Sequence, residues 1–292
     1  MAITKQKFIT IMKRRIEEKN LSKLDAFFGE EWSNNKHSPL THGNIIIIPK
    51  NTALKNPIIL EFADSKEDSS SLNLILAEQG SKAKVVLNKT GRQSAVQDSV
   101  RVIAHKNAQI EIIDISIDER SSQSEIITNL AEPGAEAKIT SLFFGKQKQK
   151  GTVFTAAIHN APFTKSDITT RSIVTDRAKV INRGLIRINE NAAHSSGYQK
   201  QDALILSEES EADAVPNLEI HNHDVKCSHG STIGQIDEEQ LFYLMSRGLD
   251  RQQAKQKIIE GYFTPLLNLI DDSSIKEKIN NSIEISLDLR DR

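Results

Sequence analysis

Between Asn44 and about Gly234 the chain is a succession of short apolar segments rich in Ile, Val and Thr, with few hairpin signals between them. "NIIIIP", "PIILEF", "LNLIL", "AKVVL", "VRVIA", "QIEIIDISI", "IITNL", "KITSLFF", "TVFTAAI", "GLIRI", "ALILS" and "NLEI" follow one another with scarcely an Asn-Gly or Asp-Gly pair. A turn followed by Ala-x-Val or Ala-x-Ile recurs at Ala83, Ala108, Ala137 and Ala178, and more weakly at Ala212, at intervals of 25, 29, 41 and 34 residues. These intervals are too irregular for a strict solenoid but match one or two coils of a β-helix each, so stacked β coils are expected. A β-sandwich with coincidental alanines is the alternative reading.

The flanks read differently. Residues 1–43 are expected to form a small helical appendage, with Phe8, Ile11 and Met12 at helical spacing and a second short helix from Ser22. The β core is assigned to 44–236 and a C-terminal helical domain to 237–292. There Asp237 is an N-cap followed by Glu238 and Glu239, Leu241, Leu244 and Met245 form an apolar stripe, and Arg247 and Gly248 end the helix. A second helix starts at Asp250, carries Ala254, Ile258 and Ile259 on one face and ends by Gly261, before "FTPLLNLI" and a polar tail. Such a helix pair could read DNA, but "DRQQAKQK" is only modestly basic and no Arg cluster accompanies it.

The formal net charge is -1, which supplies no basic field for nucleic acid or an anionic membrane. The longest apolar run, "NIIII", is far shorter than the roughly 20 residues that span a bilayer, and "MAITKQKFITIMKRR" lacks a signal-peptide core, so a cytoplasmic protein is expected. A sugar-active β-helix enzyme would need aromatic platforms, whereas aromatics are 5% and the single Trp, Trp32, lies outside the β core. No G-x-x-x-x-G-K-[ST] occurs, and "FFGKQKQK" lacks its glycine spacing and final hydroxyl, so no P-loop is expected.

The candidate site is "HNHDVKCSHGSTIG", residues 221–234, which holds three of the eight histidines and the only cysteine. As one extended strand it would put His221, His223, Val225, Cys227, His229 and Ser231 on one face, though the apolar "LEI" before it demands a bend or bulge after Ile220. His221 and His229 would then lie about 26 Å apart, too far to share an ion, whereas the Cα atoms of Cys227 and His229 would be about 7 Å apart. Two ligands are half of a closed tetrahedral set, so the remainder must come from other segments or another subunit. An inert cysteine beside a backbone-bonded histidine is the competing reading. His159 and His194 read as turn or surface residues rather than ligands.

The run "ALILSEESEADAVPNLEIHNHDVKCSHGSTIGQIDEEQLFYLMSRGL" closely resembles the C-terminal core of the SUF-system SufB/SufD family of iron–sulfur cluster assembly proteins. Weaker similarity runs upstream through "GYQKQDALILS", "HNAPFTKSDITTRS" and "AEPGAEAKITSLFF". Gly230 follows His229 where SufB-like chains carry glutamate, and no cysteine lies between Gln201 and Ser207, so the chain is more similar to the SufD branch. Two departures stand out. His223-Asp224-Val225 replaces the "DDV" of many relatives, which leaves a ligand role for His223 open, and the region before the β core is short.

The resemblance implies a right-handed parallel β-helix with a C-terminal helical domain, working without catalysis as a scaffold. It implies a SufB-like partner, or a second copy of itself in a minimal homodimer, and an ABC-type SufC ATPase docked around Asp237, Leu241, Leu244, Arg247 and Gly248. It also implies that Cys227 and His229 offer ligands for iron or a nascent iron–sulfur cluster at an interface opened by the ATPase. Flavin binding is left open by these residues, and a purely structural adaptor is the rival reading.

Overall fold

The computed structural model describes residues 10–13, 42–62, 69–90, 96–117, 121–270 and 272–286. Its strands fall into two sheets. The first contains β1 (Thr10–Lys13), β2 (His42–Ile48), β4 (Ser69–Ala77), β6 (Val96–Ala104), β8 (Ser122–Leu130), β10 (Lys150–His159), β12 (Lys179–Ile188) and β14 (Glu211–Ile220), in that spatial order. The second runs from β3 (Ile58–Glu61) through β5 (Lys82–Thr90), β7 (Gln109–Ile117), β9 (Glu136–Gly145), β11 (Lys165–Val174) and β13 (Ser196–Ile205) to β15 (Lys226–Gln235). From β2 onward successive strands alternate between the sheets and every pairing except β1 with β2 is parallel, which makes the chain a parallel β-helix. This is why hairpin signals are scarce: parallel neighbours are reached by going around, not by turning back.

One coil is one step of register. Lys82, Gln109, Glu136, Lys165, Ser196 and Lys226 stand side by side in the second sheet, 27, 27, 29, 31 and 30 residues apart. The alanine echo looked irregular because it mixes the two sheets: Ala83 and Ala137 are interior residues of β5 and β9, Ala108 is a corner residue before β7, and Ala178 and Ala212 belong to the first-sheet side.

At every corner leading from the first sheet to the second except the last, one residue sits in the left-handed region: Asn51, Gly80, Asn107, Gly134, Phe163 and His194, with φ of 55–74°. Each donates its N–H to the next coil, from Asn51 N to Gln79 O at 2.8 Å up to His194 N to Asp224 O at 2.7 Å. Asn and Gly tolerate this conformation. At Gly80 a Cβ would sit 2.5 Å from Asn51 Oδ1, and at Gly134 2.1 Å from Asn107 Oδ1, so the asparagine amides occupy the space that glycine leaves.

Strand alternation sends Val85, Ile112, Ile139 and Ile168 into the lumen, where they pack with Ile46, Ile75, Val102 and Ile186 in one apolar column. The lumen also holds a salt bridge: the fully buried Lys89 lies 2.8 Å from Asp114 Oδ1 and donates to Ser124 Oγ at 2.7 Å, and Ser124 donates to Asp114 Oδ2 at 2.7 Å. With each charge bonded, the pair avoids the several kcal/mol per ion that uncompensated burial costs.

Three helices follow: α1 (Glu238–Ser246), α2 (Arg251–Leu267) and α3 (Ser273–Ser286). Ile259, Phe263, Leu266 and Leu267 of α2 and Ile275, Ile279 and Ile283 of α3 cover the outer face of the second sheet at Val86, Ile113, Ile115, Leu142, Phe144 and Ile173. Lys84 donates to Leu269 O at 2.6 Å and Arg171 to Tyr262 O at 2.7 Å, tying the helices to the coils.

Several expectations are corrected. Ile11 and Met12 lie in β1 rather than a helix, because this β-forming stretch pairs with the otherwise open edge of "NIIII". Phe8, Ser22, Trp32 and the rest of the expected N-terminal helices lie outside the described residues. The second C-terminal helix runs past Gly261 and through Pro265 to Leu267, since burial of Phe263, Leu266 and Leu267 outweighs costs of about 1 kcal/mol for an interior Gly and about 3 kcal/mol for an interior Pro. The polar tail contains α3, whose Ile275, Ile279 and Ile283 recur every four residues.

His159 is neither a turn nor a surface residue. It ends β10 with 0% exposure, its Nδ1 2.8 Å from Thr164 Oγ1 and its Nε2 2.8 Å from Ser166 Oγ. Thr164 Oγ1 donates to Ala161 O at 3.0 Å, which is satisfied when Nδ1–H donates to Thr164 and Ser166 donates to Nε2. Burial pushes the imidazole down from 6.5 to about 4. Between these values the unfolded chain holds a proton that the folded one refuses, so stability is full above pH 6.5 and falls as pH drops toward 4, by about 3 kcal/mol. Urea unfolding of wild type and His159→Gln at pH 7 and pH 4.5 measures this. The variant should lose that much less on acidification, and equal losses would disprove it.

Candidate functional site

The last coil is built from β14 and β15, which occupy the open edges of the two sheets. The two edges differ chemically. β14 carries Glu211, Asp213, Glu219 and Pro216, features that discourage further strand pairing. The outward row of β15 is Lys226, Ser228, Gly230, Thr232 and Gly234, with a single charge and no proline.

The inward row of β15 follows from register: Cys227 pairs with Gly197, His229 with the buried Gln199, Ser231 with the buried Gln201 and Ile233 with Ala203. Cys227 therefore points toward the lumen and packs, half-buried, against the apolar column, as do Leu218 and Val225. His229 is exposed although it shares that face, because no further coil stacks on it. Ile220 and Ile233 end up 41% and 42% exposed at the same end of the solenoid. The Cys227 thiol is pushed up by burial, an effect partly offset by the Ser228 backbone N–H, so the sulfur carries its proton at neutral pH. Binding a metal there must release that proton.

The single-strand reading of 221–231 does not hold. β14 ends at Ile220 and β15 begins at Lys226, so His221 and His223 lie in the corner between them, both exposed, off the row of Cys227 and His229. The backbone must turn there to change sheets. Among the described residues no group of three or more His, Cys, Asp or Glu is placed to hold a metal ion, so His223 does not join Cys227 and His229 in a set. His194 is a corner residue as expected; its Nδ1 lies 2.8 Å from Asp224 and its ring stacks on Phe163 at 4.9 Å.

The second notable surface is α1. Asp237 caps it, accepting from Glu239 N at 2.8 Å, Arg247 is its C-cap and Gly248 takes φ 97°. Leu241 is fully buried and Leu244 half-buried, so these two anchor the helix. Phe242 and Tyr243 are 73% and 55% exposed and Met245 is also exposed, an apolar patch that the stripe from Leu241 to Met245 did not reveal.

Residues 32–262 match the model of the SUF system FeS cluster assembly SufBD core domain. The chain belongs to this SufBD core family. It is 34% identical to the iron–sulfur cluster assembly protein SufD of Escherichia coli K12, an alignment covering 52% of this chain and 36% of that protein. It is 26% identical to a SufBD family protein of Staphylococcus epidermidis and 28% to one of Staphylococcus aureus USA300, each covering 76% of this chain and 55% of the relative. The chain thus spans from about a third to just over half the length of these SufBD relatives. The matched residues include Cys227 and His229. Among the described residues no helix is long and apolar enough to cross a membrane.

Proposed function

We propose that this chain is a SufD-like scaffold subunit of an iron–sulfur cluster assembly complex, without catalytic chemistry of its own. In this reading it pairs through its last coil with a SufB-like subunit and receives a SufC-type ABC ATPase on α1. The carrying observation is the open edge of β15, which is poorly protected and presents Cys227 and His229 at the end of the solenoid beside exposed Ile220 and Ile233. A strand added along β15 would cover the apolar residues and bring a partner's side chains to the cysteine and histidine. The iron or nascent cluster is the cargo; Cys227 and His229 supply a thiolate and an imidazole, and the partner supplies the other ligands. A second copy of this chain could occupy the same edge, which gives the homodimeric alternative.

Light scattering tests the pairing. The isolated chain should run as a dimer, or as a monomer that forms a 1:1 pair with a SufB-like subunit, and Ile233→Lys should abolish either association. A wild-type chain that stays monomeric in the presence of such a subunit contradicts the reading.

A further inference from the structure

Beside the apolar column of the lumen runs a polar one. Asp114, Ser141, Thr170, Gln201 and Ser231 stand in register on β7, β9, β11, β13 and β15. Ser141 and Thr170 are each 1% exposed and Gln201 is 0% exposed. The Ser141 and Thr170 hydroxyls and both ends of the Gln201 amide have no hydrogen-bond partner among the described residues, nor does Thr155 Oγ1 on the opposite sheet. Leaving a buried donor or acceptor unmade costs roughly 1–3 kcal/mol, so several in one column call for a ligand.

Spacing says which ligand. Neighbouring parallel strands lie about 4.8 Å apart, so short side chains in register bond directly only where their hydroxyls lean together, as Thr164 and Ser195 do at 2.8 Å; Ser141 and Thr170 make no such bond. Longer amides elsewhere span the step: Asn44 bonds Asn73 at 2.7 Å and Asn160 bonds Asn129 at 2.7 Å. A molecule that both donates and accepts, and is small enough to sit between two hydroxyls, closes the gap in the serine–threonine column. We infer that a file of ordered water runs through the solenoid lumen, bridging Ser141, Thr170 and Gln201 and opening at Ser231 on the last coil. The file begins at the Asp114–Lys89 pair, and it connects that buried charge pair to the open end of the lumen.

Two measurements on the full chain test it. A crystal structure at a resolution that orders solvent should show water within about 3.2 Å of Thr170 Oγ1 and of the Gln201 amide; a lumen without water at both groups overturns the inference. Thr170→Val keeps the shape and removes only the hydroxyl. If the hydroxyl is bridged by water, the urea midpoint should fall by on the order of 0.3 M. If the lumen is dry, valine relieves an unmade bond and the midpoint should rise, and a rise or no change overturns the inference. Should the variant not fold, the wild-type crystal decides.

Discussion

Cys227→Ser and His229→Ala are each expected to fold, to assemble with partner subunits, and to fail to support iron–sulfur maturation in cells lacking the wild-type gene. His229 is exposed, so losing its ring should cost no more than about 0.5 kcal/mol of stability. Cys227 is half-buried against the apolar column, and serine there should cost about 1 kcal/mol, which leaves the β-helix intact. The loss should therefore appear in cluster delivery and not in the melting temperature. A serine hydroxyl is a far weaker ligand for iron than a thiolate. Because the thiol is protonated at neutral pH, iron retention by the assembled complex should strengthen as pH rises from 7 to 9 in wild type and lose that dependence in Cys227→Ser. Complementation by both variants at normal expression would discard the ligand role in favour of a structural adaptor.

The second large effect is expected at α1. Phe242→Ala combined with Tyr243→Ala should abolish co-purification with the SufC-type ATPase. Truncating exposed aromatic anchors at an interface costs about 2 kcal/mol or more each, roughly a thirtyfold loss of affinity per residue. Since both side chains are exposed, the thermal midpoint of the free chain should barely move. Leu241→Ala is the contrasting control: that side chain is fully buried, so its loss should lower stability rather than act on docking alone. Removing all of 237–292 would be uninformative, because it would strip α2 and α3 from Ile113, Leu142 and Phe144. Unchanged ATPase recovery with the double variant would put the docking surface elsewhere.

The sequence carried the architecture because β-branched runs without hairpin turns have few other solutions, although the alanines that suggested a repeat belong to both sheets and do not mark one coil each. It hid β11, "KSDITTRSIV", because Ser166, Thr170 and Ser172 point into a lumen that is polar there, so the strand lacks the apolar alternation of its neighbours. It hid α3 behind an average polarity that its Ile275, Ile279 and Ile283 stripe contradicts only when counted every four residues. At the site, the period of two correctly set Cys227 and His229 on one row, because both lie inside β15. It failed for His221 and His223, where the chain changes sheets and alternation carries no meaning. The exposure of Phe242 and Tyr243 depended on which side of α1 meets the coils, and only tertiary packing decides that.

The helices rest on one sheet only. Arg171 and Lys84, which grip the carbonyls of Tyr262 and Leu269, both belong to the second sheet, as does β15 with Cys227 and His229. β14, its companion at the open end, hangs from the first sheet through cross-strand pairs such as Arg187 with Glu219 at 2.5 Å. A load applied to the helices therefore enters the solenoid off its axis, and the two halves of the final coil receive it unequally. The first sheet, and β14 with it, would feel such a load only through the packing of the lumen that the two sheets share.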